Sequence, residues 1–303
     1  MQHKDIVPDA KPDYVIDLKN ECSNRLNSVF SSCIKQFESI PVKDFDYILV
    51  QGDTATVASI AIAAFNSKVK IIHLEAGLRT YDNQNPYPEE AYRQMVSRIT
   101  DIHLCPTRTA LSNLLEEKVQ GKIEVVGNTC LDNLSDVKTS YQNRILVTLH
   151  RRENLSFIKE YFNVISNLAG KYSDLEFILP IHPNPEVMKH RDVLKNVVVI
   201  RPMSHRYLID VLKTVKFCIS DSGGIQEEAS FLNKRVIVCR KETERCEGIG
   251  TFFELCDSPS KLEKIFDRFI EDFEINLPCP FGDGKSAEKI FEFLIKEKNA
   301  KRL

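Results

Sequence analysis

Glycine is scarce in this 303-residue chain, at 11 positions, and neither G-x-G-x-x-G nor G-x-x-x-x-G-K-[ST] occurs. The first absence removes the usual fingerprint of nicotinamide and flavin enzymes, and the second that of P-loop nucleotide hydrolases. The nine cysteines, scattered from Cys22 to Cys279, are odd in number and hold no C-x-x-C pair. That pattern indicates neither a disulfide framework nor a structural zinc site, and it fits reduced thiols in a cytoplasm. No apolar run approaches the ~18 residues of a membrane span. Nor is there a basic excess: 41 Lys+Arg against 43 Asp+Glu leave a net charge of −2, so the global positive field of non-specific nucleic-acid binding is missing. The opening Met1-Gln2-His3-Lys4-Asp5 is polar and does not read as a signal peptide.

What is present is a globular composition, 43% apolar with 17 Phe and 9 Tyr, in a length that suggests two domains at about 150 residues each. Short Val- and Ile-rich runs alternate with segments of helical period, the pattern of repeated βαβ units around a parallel sheet. Strands are predicted at 47–51, 69–74, 102–105, 123–126, 145–149, 175–181, 197–200, 217–220 and 236–239. Helices are predicted at 54–65, 88–99, 107–117, 154–171, 205–213, 225–233, 260–273 and 285–298. The polar stretch Asp136–Asn143 marks a boundary between two Rossmann-like α/β domains, 1–139 and 140–280. Residues 281–303 then form a C-terminal helix expected to pack back on the first domain.

Ligands of parallel α/β sheets bind beyond the carboxyl ends of strands, and several such ends carry unusual residues. After Val50-Gln51-Gly52, Asp53 stands where a helix N-cap belongs, and it reads equally as a cap or an acid. In Ile72-His73-Leu74-Glu75, the histidine and the glutamate fall on one face at period two, with Arg79 a candidate ion-pair partner for Glu75. Pro88-Glu89-Glu90 suits a helix start. Asp53, Glu75 and Glu89 would then share one sheet edge, where crowded carboxylates push their pKa values apart and can exchange protons with a substrate.

The later half supplies Ser220-Asp221-Ser222-Gly223-Gly224, a strand end whose glycines and helix start favour a phosphate, followed by Glu228 as an acceptor for ribose. His150-Arg151-Arg152 adds local positive charge for a diphosphate. His182 also ends a strand, while His190 and His205 lie in polar surroundings and read as surface residues.

In order, the chain carries G-D-T, H-x-E-A-G-L-R-T, P-x-P-E-E-x-x-R, H-R-R-E-N, D-S-G-G-I-Q-E-E and T-E-R-x-E. With these motifs it resembles the non-hydrolysing UDP-N-acetylglucosamine 2-epimerases, from Gln2-His3 to the final helix. The resemblance implies a glycosyltransferase B type fold, two Rossmann-like domains facing across a cleft, with the nucleotide in the second domain. It implies an isomerase that interconverts UDP-GlcNAc and UDP-ManNAc by eliminating UDP to 2-acetamidoglucal and re-adding it, with neither a cofactor nor a metal. Asp53, Glu75 and Glu89 match the family's acid/base carboxylates and His150 the histidine near the diphosphate. Ser222, Gly223 and Gly224 match the phosphate loop, Glu228 the ribose contact, and Arg93 and Arg245 further positions around UDP. Gln2, Arg151 and His182 fall where a second UDP-GlcNAc binds as activator in bacterial relatives. A cytoplasmic homodimer serving surface polysaccharide synthesis, with no nucleic-acid or membrane partner, follows from the same likeness.

The chain also departs from the family's pattern. Tyr92 replaces Asn, Leu149 replaces Gly, Cys246 replaces Pro, and Met203 and Leu208 stand where Gln and an aromatic residue are common. The first strand with its G-T-R-P-E loop, the helix after it and the next strand are not in this sequence, so the first domain is expected to be short. Rival readings stay open: a hydrolysing 2-epimerase that releases ManNAc, whose members usually carry G-D-R and E-G-G, a glycosyltransferase of the same architecture, or a non-catalytic nucleotide-sugar binder.

Overall fold

The computed structural model describes residues 12–20 and 22–300. The described chain divides into two units, one running up to Thr129 and resuming at Lys285, the other spanning Cys130–Gly284. The crossing falls between Thr129 and Cys130, ahead of the boundary expected at 139/140. The polar stretch 136–143 belongs to the second unit because its backbone is hydrogen-bonded there, Ser140 N–H to Lys213 O at 2.9 Å and Gln142 N–H to Thr214 O at 2.7 Å.

The first unit runs α1 (Arg25–Phe37), β1 (Tyr47–Gln51), α2 (Ala55–Asn66), β2 (Lys70–Leu74), α3 (Glu89–Ser97), β3 (Ile102–Cys105), α4 (Arg108–Glu116), β4 (Lys122–Val125). Its strands pair in parallel in the order β1-β2-β3-β4. Side-chain caps start the helices where sequence supplies a short polar residue: Asn24 accepts from the N–H groups of Leu26 and Asn27 ahead of α1, and Thr107 from Ala110 N–H ahead of α4. In β1, successive side chains alternate between faces, so Val50 is buried in the core while Leu49, on the other face, is 51% exposed.

The second unit runs β5 (Arg144–Thr148), α5 (Ile158–Lys171), β6 (Glu176–Pro180), α6 (Pro185–Met188), β7 (Val197–Ile200), α7 (His205–Leu212), β8 (Phe217–Ser220), α8 (Gly223–Phe231), β9 (Arg235–Val238), β10 (Phe253–Leu255), α9 (Pro259–Glu271). These strands form a six-stranded parallel sheet in the order β10-β9-β8-β5-β6-β7. Successive strand residues feed opposite cores: Ile145, Val147, Phe217 and Ile219 join one cluster with α5 and α9, while Leu146, Cys218 and Val236 join another with α7 and α8. Burial on both faces explains why these strands read as continuous apolar runs. The last helix, α10 (Ser286–Ala300), returns to the first unit, where Ile290, Phe293 and Leu294 pack on Ile72, Leu74, Ile102 and Leu104. No described helix is long and apolar enough to cross a membrane.

Candidate active site

In the first unit the carboxylates gather around the carboxyl ends of β1 and β2. Helix α2 is capped by Thr54, whose Oγ1 accepts from Val57 N–H at 3.3 Å, so Asp53 is not the cap it was expected to be. Released from that role, Asp53 Oδ2 accepts from Arg93 Nε at 2.8 Å and Nη2 at 2.6 Å. Arg93 is 3% exposed and also donates from Nη1 to Glu90 Oε2 at 3.1 Å. Glu90 accepts from the N–H groups of Thr80 and Tyr81 and from Gln94 Nε2, at 3.0, 3.2 and 2.9 Å. Burial opposes its charge, but these donors and Arg93 prevail and hold its carboxyl below the ordinary range.

Glu75 lies one residue beyond β2 with its backbone in the left-handed region, φ +64°. A non-glycine residue there costs on the order of 1–3 kcal/mol and persists where its surroundings over-determine it. The alternation predicted for His73 and Glu75 therefore breaks between them. Arg79 is not the partner of Glu75; it pairs with Glu117 at 2.6 Å and donates to Ser97 Oγ at 2.8 Å. Glu75 Oε1 instead accepts from Gln51 Nε2 at 2.7 Å, a neutral amide from the adjacent strand. His73, wholly buried, donates from Nε2 to Gly52 O at 2.8 Å and so ties the two strand ends together. Burial pushes its pKa down to about 4, which keeps the ring neutral. Glu89 opens α3 half-buried, and its Oε2 is shielded from solvent without a hydrogen-bond partner among the described residues. The three acids are thus held in three ways: by a guanidinium, by an amide, and with one oxygen unpartnered among the described residues.

Gly77 fixes the loop that carries Glu75. Its φ is +86°, and a Cβ there would lie 2.2 Å from Ala110 O, a backbone atom. Gly77→Ala is expected to destabilise the protein by more than about 1 kcal/mol, readable as a lower urea midpoint.

In the second unit the strand order reverses between β5 and β8, and ligands of open α/β sheets bind at that switch point. A cavity of about 340 Å³ opens there, lined by Thr148 and His150 after β5, Pro180 to His182 after β6, Pro202, Met203, His205 and Leu208 after β7, and Ser222, Gly224, Ile225 and Glu228 after β8. Helix α8 begins at Gly223, two residues before the predicted start, with Ser222 as N-cap and no side-chain cap bond. Its positive end and the Ser222 hydroxyl suit an anion. Nothing lies within 4 Å of a Cβ built on Gly224, whereas one on Gly223 would meet Arg245 Nη1 at 2.5 Å. Arg245 lies over that first turn, its Nε paired with Glu227 Oε1 at 2.8 Å and its Nη1 with Glu244.

His150 stacks on His182, ring centroids 5.2 Å apart and 12° from parallel. Its loop is organised by Asp221, a fully buried residue whose place in the D-S-G-G motif does not by itself reveal this role. Asp221 Oδ2 accepts from the N–H groups of His150 and Arg151, both at 2.8 Å, and from Asn154 Nδ2 at 3.0 Å. Arg151 is half-buried; Gln2 lies outside the described residues. His205 is not an idle surface residue: its Nε2 donates to Glu228 Oε1 at 2.7 Å. That bond to a carboxylate raises the His205 pKa above the ordinary 6.5, against the pull of burial. In an NMR pH titration the ring is expected to titrate above 6.5, and Glu228→Gln to bring it back down.

The family model described as UDP-N-acetylglucosamine 2-epimerase matches residues 4–295. The UDP-N-acetylglucosamine 2-epimerase of Campylobacter jejuni is 34% identical over 330 aligned residues, covering 96% of this chain and 85% of that protein. Among solved structures, UDP-GlcNAc 2-epimerase from Neisseria meningitidis bound to UDP-GlcNAc superposes with a TM-score of 0.86 at 31% identity, covering 97% of this chain and 90% of that one. The Methanocaldococcus jannaschii UDP-GlcNAc 2-epimerase, in complex with UDP-GlcNAc and UDP, gives 0.78 at 29% identity, covering 95% and 85%. With its two parallel-sheet α/β units of glycosyltransferase B type, the chain belongs to the UDP-N-acetylglucosamine 2-epimerase family.

Proposed function

We propose that the protein is a non-hydrolysing UDP-N-acetylglucosamine 2-epimerase that interconverts UDP-GlcNAc and UDP-ManNAc in the cytoplasm for surface polysaccharide synthesis. The observation that carries this reading is the division of chemistry between strand ends. Carboxylates in contrasting environments occupy those of the first unit, and histidines with an anion-favouring helix start occupy those of the second.

The nucleotide is assigned to the cavity of the second unit. Ser222, Gly223 and Gly224 receive the diphosphate, with His150 beside it, and Glu228 receives the ribose hydroxyls. Arg245 acts through the helix turn that it covers, and Arg93 through Asp53. For the sugar, a carboxylate removes the C2 proton while the C1–O bond to UDP breaks. The C–H electron pair becomes the C1=C2 double bond of 2-acetamidoglucal, and UDP departs with the C–O pair. A carboxylic acid then returns a proton to the opposite face of C2 as the UDP oxygen re-forms its bond to C1. This route moves one proton and one leaving group and calls for no hydride acceptor. Glu75 is the better base, since an uncharged amide holds it while Arg93 claims the charge of Asp53. Glu89, with an unpartnered oxygen, suits the return of the proton.

Arg151, His182 and Gln2 are assigned to a second UDP-GlcNAc that acts as activator, and the enzyme to a homodimer. Proton NMR of a reaction with UDP-GlcNAc is expected to show UDP-ManNAc accumulating with the nucleotide still attached. Free ManNAc and UDP as the products would sink the non-hydrolysing reading.

A further inference from the structure

Helix α7 starts on His205 just after its cap, Ser204, whose Oγ accepts from Tyr207 N–H at 3.4 Å. This cap fixes the first turn of the helix and with it the imidazole, which reaches Glu228, 23 positions along the chain, with the 2.7 Å bond described above. His205 keeps 45% of its side chain exposed and Glu228 only 8%. The ring therefore stands at the cavity mouth with the carboxylate behind it. Apolar side chains line the same cavity, Met203 and Leu208 on the α7 side and Ile225 on the α8 side. Among the described lining residues Glu228 is the single carboxylate, and His150, His182 and His205 are the other titratable groups.

A carboxylate offers about four lone-pair directions on two oxygens, and it can rotate unless something holds it. His205 engages Oε1, which fixes the plane of the group and leaves Oε2 for hydroxyl donors. Two adjacent hydroxyls on a five-membered ring match such a fixed acceptor, while a deoxy sugar leaves the buried acceptor underused, the situation that gives polar sites their discrimination.

We propose that His205 is a positioning residue that orients the Glu228 carboxylate toward a vicinal ribose diol, making this cavity select ribonucleoside diphosphates over their deoxy counterparts. The inference rests on the nucleotide reading of the cavity. Removal of the imidazole then costs affinity only for ligands that carry the diol.

The test is calorimetric titration of the full chain, its His205→Phe and its His205→Gln variants, each with UDP and with 2′,3′-dideoxy-UDP. His205→Phe is expected to lose about tenfold in UDP affinity and nothing for the dideoxy ligand, while His205→Gln, which keeps an N–H donor, stays within about threefold of the parent for UDP. In turnover, the Phe variant is expected to raise KM and leave kcat unchanged. An equal loss for both ligands, or no loss for UDP, overturns the proposal while leaving the nucleotide assignment standing. Failure of the parent chain to bind UDP overturns that assignment itself. If the Phe variant does not fold, His205→Ala carries the same comparison.

Discussion

Glu75→Gln is expected to lower the turnover of UDP-GlcNAc epimerisation by about 10³-fold while moving the melting temperature by no more than ~2 °C. Positioned general acids and bases contribute about 10² to 10⁴ in rate, and the substitution removes the basic oxygen while keeping the side chain's size. Little stability is at stake. Glu75 is half-buried, its single described side-chain partner is Gln51 Nε2 at 2.7 Å, and the amide oxygen of a glutamine can accept that same bond. The left-handed backbone at φ +64° is common to both residues and cancels in the comparison. A variant that loses activity by unfolding would reveal itself in the melting curve. A folded variant with near-parental turnover would mean that the proton is taken elsewhere, with Glu89 the next candidate.

Arg93→Met is expected to destabilise the protein by about 3–5 kcal/mol and to abolish activity with it. The guanidinium is 3% exposed and serves Asp53 at 2.8 and 2.6 Å and Glu90 at 3.1 Å. With it gone, Glu90, which has no exposed surface, keeps a negative charge whose described hydrogen-bond donors are all neutral, with Arg79 the remaining cation that favours it. Such a buried, uncompensated carboxylate is far costlier than the original pair is stabilising. A triple variant that adds Asp53→Asn and Glu90→Gln is therefore expected to recover much of the lost stability in urea titration, yet none of the activity. Equal stability for the single variant and the parent would contradict the account of this cluster.

Nine strands were legible, most plainly where burial on both faces demands an apolar run, as in Ile145–Val147 and Phe217–Ile219. Strand β10 was not, since its three residues, Phe253–Leu255, are too short for any period to appear. Helix α1 escaped for a different reason: its buried residues are Ser28, Ser32, Cys33 and Phe37, so the face it packs does not read as an apolar stripe. The acid and phosphate segments were legible as chemistry placed at strand ends, but their pairings were not. Adjacent Asp53 and Thr54 compete for one cap, and only the folded backbone decides between them. The partners of Glu75 and His205 are 24 and 23 residues away, beyond any local pattern. Asp221 sits inside a phosphate-like motif, yet its Oδ2 serves the loop after β5.

In the proposed reaction the carboxylates of the first unit break and remake the C2–H bond while UDP leaves and returns. The most direct test is incubation of the protein with UDP-GlcNAc in D₂O, followed by mass spectrometry and NMR of the recovered nucleotide sugars. One deuterium at C2 of UDP-ManNAc, and its gradual appearance in UDP-GlcNAc as equilibrium is approached, is the predicted result. An epimer formed with its original C2 hydrogen retained, or no change at C2 in protein that binds UDP, would contradict it.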